Sequence, residues 1–300
     1  MNQKISDRSG LLTERRLAAS KNLDRMSIEK SLALMNRQDA LAAAAVARER
    51  SAVAKGVKMA AAALRSGGRV VYVGAGTSGR LGVLDATECP PTFSSDPRKI
   101  LGIIAGGRGA MFRSREGAED RAADGAAAMD AKKISGGDLV IGIAAGGTTP
   151  FVHGAIRRAR ERGAKTIFVC CVRKNVGEPS ADLVIRPLVG AEVLTGSTRL
   201  KAGTATKLVL NQISTLAMVQ LGKVYENLMV DLRATNAKLR DRAVRIVMEI
   251  GKVSRGRAAA LLKLAAGEVK TAVVMHVRGV EAREARKILI KARGRLRGAI

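Results

Sequence analysis

The segment Arg69-Val-Val-Tyr-Val-Gly-Ala-Gly-Thr-Ser-Gly-Arg80 decides the fold of this 300-residue chain. Its apolar run, Val70 to Val73, is rich in β-branched residues, which predicts a buried strand. Three glycines follow at once, and Leu81 to Ala86 then has the pattern of the first turns of a helix. A strand, a glycine-rich turn and a helix start together indicate an anion site. The first amides of a helix have no partner within the helix, and glycines let the backbone approach a phosphate closely.

The spacing Gly74-x-Gly76-x-x-Gly79 also fits a dinucleotide-binding turn. Such a site needs an acidic residue at the end of the next strand, where it binds a ribose hydroxyl. The next predicted strand, 100–104, is followed by Ala105-Gly106-Gly107 and no acid. We therefore favour a phosphorylated small molecule over NAD, while a plain strand-to-helix turn stays open. The candidate phosphate contacts are Gly76, Thr77, Ser78 and Gly79.

Strands alternate with helices along the chain, which predicts an α/β fold with a doubly wound parallel sheet covered on both faces. We expect strands at 70–73, 100–104, 139–143, 166–170 and 182–185. We expect helices at 27–36, 39–66, 79–86, about 115–130, 150–162, 200–222 and from about 234 onward. Three regions are predicted: an N-terminal segment with the first helix (1–40), an α/β domain (41–245) and a small C-terminal helical module (251–300).

The composition limits the class of protein. The chain is 47% hydrophobic but only 2% aromatic, so its core must be aliphatic. No apolar run has membrane-spanning length, and the N-terminus lacks a signal-peptide segment. The three cysteines lack metal-site spacing, and neither His153 nor His276 neighbours a nucleophile or a ligand cluster. We expect a cytoplasmic protein with no metal, cofactor or covalent nucleophile.

The net charge of +27 is unusual for a chain of this length. Attraction to nucleic acid is one interpretation. However, the basic residues are spread along predicted helices, and neither aromatic interleaving nor a nucleic-acid-binding motif accompanies them. We favour a basic solvated surface, which would also steer a phosphorylated substrate toward its site.

A second strand-to-helix junction lies at Ala144-Ala-Gly-Gly-Thr-Thr-Pro150, where the proline suits the first position of a helix. Backbone amides together with Gly147, Thr148 and Thr149 are candidate ligand contacts there. The alternative is a plain turn between a strand and a helix.

A third polar cluster, Thr195-Gly-Ser-Thr-Arg-Leu-Lys-Ala-Gly-Thr204, leads into the predicted helix 200–222. Ser197, Thr198 and Lys201 are candidate substrate contacts. Either hydroxyl is also suited to cap the helix, and the two roles are compatible.

Two carboxylates are candidate acid/base residues. Glu88 precedes Pro90-Pro91, and because a proline pair ends a helix we expect Glu88 at a rigid point near a helix end or in the loop after it. A rigidly positioned carboxylate is suited to act as a general acid or base. Glu119 lies in a predicted helix in which Glu116 and Asp120 share one face and Glu119 points elsewhere. A solvated acidic cluster is the alternative for this segment.

The segment from Gly74 to Phe93 resembles the signature of N-acetylmuramic acid 6-phosphate etherases, which have the SIS (sugar isomerase) fold. The glucokinase regulatory protein resembles the chain more distantly. Other segments are similar to the etherase family in the same order, so that the resemblance covers nearly the whole chain: Thr13-Glu14, Ile104–Gly107, Glu116–Asp120, Thr195–Thr204, Lys223–Asp231, Asn236 and Asp241–Ala243.

The resemblance implies a lyase that removes D-lactate from the C-3 ether of N-acetylmuramic acid 6-phosphate and leaves N-acetylglucosamine 6-phosphate. The family reaction is elimination followed by addition of water, in cell-wall amino sugar recycling. Glu88 would protonate lactate and later activate water, and Glu119 would be the second acid/base residue. Many relatives have Ser and Arg where this chain has Gly146 and Thr148, which puts side-chain contacts from the second junction in doubt.

Two other functions stay open. One is a non-catalytic sugar-phosphate-binding regulator, although the glucokinase regulatory protein has two SIS units and this chain has room for one. The other is a sugar phosphate isomerase, which would exchange aldose and ketose without releasing lactate. Because SIS domains usually pair, the resemblance also implies a homodimer, with the C-terminal module near the partner.

Overall fold

A computed structural model describes residues 10–174, 177–232, 234 and 236–300. Part of the predicted N-terminal segment, 1–9, lies outside the described residues. The chain forms two compact units. The first contains the described residues up to Ala86 together with Ile100–Ile213, and the second contains Thr87–Lys99 and Ser214–Ile300. This division does not test the predicted domain boundaries, which stay a prediction.

The first unit is built on one parallel sheet of five strands in the order β2-β1-β3-β4-β5. The strands are β1 (Val70–Gly74), β2 (Ile100–Ile104), β3 (Leu139–Ile143), β4 (Lys165–Val169) and β5 (Leu183–Ile185). Tyr72 of β1 is in register with Gly102 of β2 on one side and Ile141 of β3 on the other. Each strand lies within one residue of its predicted position.

Helices cover both faces of this sheet. The first six α-helices of the described residues are α1 (Ile28–Arg48), α2 (Arg50–Arg65), α3 (Gly76–Phe93), α4 (Ala122–Ala131), α5 (Pro150–Glu161) and α6 (Lys201–Gln220). Val71, Val140 and Phe168 pack in one apolar cluster with residues of α4 and α5. On the other face, Gly56 of α2 lies against Ile167, and Gly82 of α3 lies against Tyr72. The predicted doubly wound α/β fold is confirmed.

The predicted break between the first two helices is wrong. We expected it between residues 36 and 39, whereas α1 continues to Arg48 and the chain turns at Glu49. The intervening stretch, 39–48, is rich in alanine, the residue with the highest helix propensity, so it extends α1. Ser27 caps the start of α1 by accepting a hydrogen bond from the Lys30 amide at 3.3 Å.

The second unit contains four consecutive helices, of which the last three lie within 251–300, where the sequence predicts a helical module. It contains α7 (Ala237–Gly251), α8 (Arg255–Leu264), α9 (Val269–Arg278) and α10 (Ala282–Lys291). Val247, Leu261, Val273 and Leu289 belong to one apolar cluster that these helices share. Across the described ranges, no helix combines the length and the apolarity needed to cross a membrane.

Candidate functional site

The turns that follow β1 and β3 meet at one edge of the sheet. We call Ala75–Gly79 the first turn and Ala144–Thr149 the second turn. The two strands are neighbours, and the strand order reverses between them. In open parallel sheets, ligands bind outside the carboxyl ends of the strands at the point of reversal. The topology therefore places the candidate site between these turns.

The first turn opens directly into α3. The Gly79 amide donates to the Ala75 carbonyl at 3.2 Å and so closes the first helical hydrogen bond. Gly76, Thr77 and Ser78 are the first residues of α3. The backbone amides at the start of an α-helix have no acceptor within the helix. The predicted helix start at residue 79 is wrong by three residues, and the difference brings Thr77 and Ser78 into the helix's first turn.

Gly79 makes the close packing of α3 on the sheet possible. A Cβ atom at this position would lie 2.6 Å from Cγ1 of Ile104 and 2.7 Å from the carbonyl oxygen of Gly74. Only glycine fits between those atoms. The observed role of Gly79 is thus to hold the helix start near the strand end.

A cavity of about 190 Å³ joins the first turn to the acidic segment that follows β2. Gly76 and Glu119 both line it. Its charged lining consists of Arg80, Arg115, Glu116, Glu119 and Asp120. The guanidinium of Arg80 donates to the carbonyls of Met111 at 3.1 Å and Ala110 at 2.8 Å. The cavity thus combines a helix start, two guanidinium groups and three carboxylates.

Glu119 lies in a turn rather than in a helix. The helix predicted over 115–130 begins only at Ala122, so the expectation that Glu116 and Asp120 share a helix face is wrong. The carbonyl of Glu119 accepts a hydrogen bond from the Phe151 amide at 3.0 Å. This bond ties the Glu119 turn to the start of α5, immediately after the second turn.

Glu88 lies within α3 rather than at its end. The helix continues through Pro90 and Pro91 to Phe93, so the predicted helix end is wrong. The second unit begins at Thr87, and the exposed Glu88 belongs to it, whereas Glu119 belongs to the first unit. That the two carboxylates act together stays a prediction.

The second turn is fixed by its own backbone. The Gly147 amide donates to the Ala144 carbonyl at 2.8 Å, and the Gly147 carbonyl lies 2.9 Å from Nε2 of His153. Burial lowers the pKa of His153, whose ring packs edge-on against Phe168. Thr149 precedes Pro150 at the start of α5 but makes no side-chain cap there. Gly147, Thr148 and Thr149 thus lie at the predicted strand-to-helix junction.

The start of α6 is capped by a residue that the sequence analysis missed. The buried carboxylate of Glu192 accepts from the amides of Lys201 at 3.1 Å and Ala202 at 2.9 Å. Burial raises the pKa of Glu192, and these two amide hydrogen bonds offset only part of the increase. The suggestion that Ser197 or Thr198 caps this helix is therefore wrong. An acidic residue nine positions before a helix has no local sequence signal.

Lys201 is buried and points to α1. Its Nζ donates to Oε1 of Gln38 at 2.6 Å, and burial lowers its pKa. Lys201 is not among the residues that line the cavity described above. By contrast, a Cβ at Gly203 would lie 3.7 Å from Cγ2 of Thr77, so the start of α6 adjoins the first turn.

Thr13 and Glu14 also lie at this edge, although the sequence analysis assigned them no role. The Thr13 carbonyl accepts from the Gly196 amide at 3.0 Å. A Cβ on Gly146 would lie 3.7 Å from Oγ1 of Thr13. The N-terminal segment thus lies between the second turn and the loop that contains Ser197 and Thr198. Within the described ranges, no three His, Cys, Asp or Glu side chains are grouped as metal ligands.

Comparison with known proteins identifies close relatives over the full chain. Residues 52–160 match the glucokinase regulatory protein N-terminal SIS domain. An N-acetylmuramic acid 6-phosphate etherase of Synechococcus elongatus is 53% identical over 300 residues, which cover 100% of this chain and 98% of the relative. A protein of the same name from Synechocystis sp. is 50% identical, covering 99% of this chain and 97% of that protein.

Among solved structures, a protein of E. coli CFT073 with a bound ligand is similar to this chain at 16% identity, with a TM-score of 0.48. The match covers 67% of this chain and 97% of that one. Family membership depends on the full-length sequence relatives, because they match at 50 to 53% identity.

Proposed function

The chain belongs to the family of N-acetylmuramic acid 6-phosphate etherases, and from this premise we propose which of its residues carry the reaction. The protein is a carbon–oxygen lyase that cleaves the D-lactyl ether of N-acetylmuramic acid 6-phosphate. The regulatory alternative is not favoured, because the relatives that match the entire chain are etherases, while the regulatory-protein model matches only residues 52–160.

In this proposal the substrate phosphate binds at the first turn, Ala75–Gly79, where α3 begins. The amides of Gly76, Thr77 and Ser78, with the hydroxyls of Thr77 and Ser78, supply donors at the positive end of a helix dipole. The second turn adds backbone amides near Gly147, with Thr148 and Thr149. Ser197 and Thr198 approach from the segment before α6. Lys201 acts at most indirectly, because its ammonium group is bound to Gln38.

The chemistry needs two proton-transfer groups. A base removes the C-2 proton, which the open-chain aldehyde acidifies, and the electron pair forms a C-2–C-3 double bond as the C-3–oxygen bond breaks. An acid protonates the departing lactate, and water then adds at C-3 with return of a proton to C-2. We assign Glu88 as the acid that protonates lactate and then activates water, and Glu119 as the second acid/base residue. Each acid/base group of this kind typically raises the reaction rate roughly 10²–10⁴-fold.

One observation supports the placement of this site most directly: Gly76 of the first turn and Glu119 line the same cavity. The test is D-lactate release from N-acetylmuramic acid 6-phosphate beside the unphosphorylated sugar. We expect release only from the phosphorylated sugar, and a rate reduced at least 100-fold in Glu88→Gln, by the magnitude typical of acid/base groups. A Glu88→Gln protein with the parent rate would overturn that assignment.

We also propose that the protein is a cytoplasmic homodimer. Its substrate is a phosphorylated sugar, and no disulfide links Cys89, Cys170 and Cys171 among the described residues, as a reducing compartment allows. Pairing is the common arrangement of SIS domains. Sedimentation at micromolar concentration tests the dimer, and a purely monomeric species would contradict it. We assign no nucleic-acid partner to the basic surface.

A further inference from the structure

The segment that contains Thr13 and Glu14 is firmly attached to the first unit. Leu11 and Leu12 pack against the apolar cluster of the sheet and α5. The side chain of Thr13 is fully buried, and the Glu14 amide donates to the Leu11 carbonyl at 3.0 Å. These contacts hold residues 11–14 in one place on the domain.

The two polar side chains of this segment face the loops of the candidate site. Oγ1 of Thr13 donates to Oε1 of Glu14 at 3.3 Å. A Cβ on Gly196 would lie only 3.1 Å from Oε2 of Glu14, and Gly196 has a φ of +76°, so this position is suited to glycine in both respects. The absence of a side chain at Gly196 therefore makes room for the Glu14 carboxylate beside Ser197 and Thr198.

In the described part of the chain, the Glu14 carboxylate is held by a hydroxyl rather than by a charged group. Many carboxylates of this basic protein pair with guanidinium or ammonium groups, as Asp138 does with Arg69 and Asp130 with Arg158 and Arg162. Within the described ranges, no Lys, Arg or His nitrogen forms an ion pair with Glu14, although the chain contains 53 Lys and Arg residues. A half-buried carboxylate with one hydroxyl donor retains capacity to accept from a ligand.

The charges of the substrate indicate which of its groups donates a hydrogen bond to this carboxylate. N-Acetylmuramic acid 6-phosphate carries a phosphate and a lactyl carboxylate, and both would repel a third anion placed close to them. An ionised carboxylate accepts hydrogen bonds and donates none. We propose that Glu14 is a substrate-binding residue that accepts a hydrogen bond from the neutral part of the sugar, a hydroxyl or the acetamido N–H. This inference rests on the site proposed above.

The test compares Glu14→Ala and Glu14→Gln with Glu161→Gln, a matched change on the exposed end of α5. We expect KM for N-acetylmuramic acid 6-phosphate to rise about tenfold or more in Glu14→Ala, because a hydrogen bond to a charged group is lost. The kcat of this variant should stay within about threefold of the parental value. The Tm of Glu14→Gln and Glu161→Gln should stay within about 2 °C of the parent, because glutamine keeps an acceptor oxygen for the Thr13 hydroxyl and Glu161 is exposed. Glu14→Ala removes that acceptor and is expected to lower the Tm. Inhibition by inorganic phosphate should be unchanged, because the phosphate binds elsewhere in the site.

A Ser78→Ala variant separates failure of this inference from failure of the proposed site. If Ser78→Ala raises KM and both Glu14 variants leave it unchanged, Glu14 does not bind substrate. The proposed phosphate site at the first turn is then still supported. If neither position affects KM, the site itself is wrong. A fall in Tm of both Glu14 variants with the parental KM would make Glu14 a structural residue and would also overturn the inference.

Discussion

The backbone carbonyl of Glu119 accepts a hydrogen bond from the amide of Phe151 at 3.0 Å. This bond connects the acidic turn after β2 to the start of α5, where the second turn ends. The contact uses only main-chain atoms, so the side chain of Glu119 takes no part in it. The position of the turn and the chemistry of the carboxylate are therefore separable by mutation.

Glu119→Gln should lower the rate of D-lactate release at least 100-fold, the lower end of the effect of removing an acid/base group. Because the Phe151 hydrogen bond remains, the Tm should change by less than about 2 °C, as for a substitution outside the core. Steady-state kinetics and thermal unfolding measure the two effects. Glu161→Gln is the matched control and should keep the parental rate. A parental rate in Glu119→Gln would remove Glu119 from the mechanism.

Gly79→Ala should destabilise the protein by about 1–3 kcal/mol, the usual cost of overpacking. Its methyl group would lie 2.6 Å from Ile104 and 2.7 Å from the Gly74 carbonyl. Gly256→Ala in α8 is the comparison, because no atom lies within 4 Å of its Cβ position and alanine favours helix. Urea unfolding of both variants gives the difference. Equal stability of the two would show that α3 moves away from β1 at no cost.

Gly146→Ser tests whether the second turn tolerates the serine that the family resemblance implies at this position. A Cβ there would meet only Oγ1 of Thr13, at 3.7 Å, which is ordinary van der Waals contact. We expect the Tm to be unchanged and KM to fall about two- to tenfold, if the added hydroxyl contributes one hydrogen bond to substrate. An increase in KM would indicate that the hydroxyl obstructs the site.

Glu192→Ala should lower the free energy of unfolding by about 2 kcal/mol or more, because it removes a helix cap and leaves two buried amides without their acceptor. The amides are those of Lys201 and Ala202. Chemical denaturation measures the loss. A change below about 0.5 kcal/mol, the range of ordinary surface substitutions, would contradict the capping role.

Asp138 should make stability depend on pH in the acid range. Its buried carboxylate accepts three hydrogen bonds from Arg69: from the backbone amide at 3.0 Å, from the side-chain Nε at 2.9 Å and from the side-chain Nη2 at 2.6 Å. Burial alone would raise its pKa, but these hydrogen bonds and the Ser135 amide outweigh burial, and the pKa is lowered. Stabilisation by this group is complete above the unfolded pKa of about 4 and is lost as pH falls through the lower folded value.

Asp138→Asn should therefore destabilise the protein by about 3 kcal/mol at neutral pH, as expected for one partner lost from a buried pair. The difference between parent and variant should narrow below about pH 4, where the carboxylate of the unfolded parent becomes protonated while the folded one is still ionised. Urea unfolding at several pH values tests both statements. A difference that stays constant between pH 7 and pH 3 would contradict the role of the ionised carboxylate.

Local patterns predicted much of this fold correctly. Runs of β-branched residues marked the strands to within one residue, because a buried parallel strand needs apolar side chains on both faces. The helix boundaries were less accurate. Alanine-rich residues extended α1 to Arg48 because alanine has a high helix propensity, and α3 continued through Pro90 and Pro91 against the local signal of two prolines.

The sequence by itself determined the family, the order of strands and helices, and the glycine turn between β1 and α3. These properties depend on contiguous residues, whose spacing sets strand, turn and helix. Only the tertiary structure decided that Glu119 shares a cavity with Gly76, that Glu192 caps α6, that Lys201 binds Gln38 and that Glu14 lies beside Gly196. Each of these contacts joins residues that are distant in sequence or lie in different elements. Such contacts form when helices and loops pack around the sheet, and no local propensity encodes them.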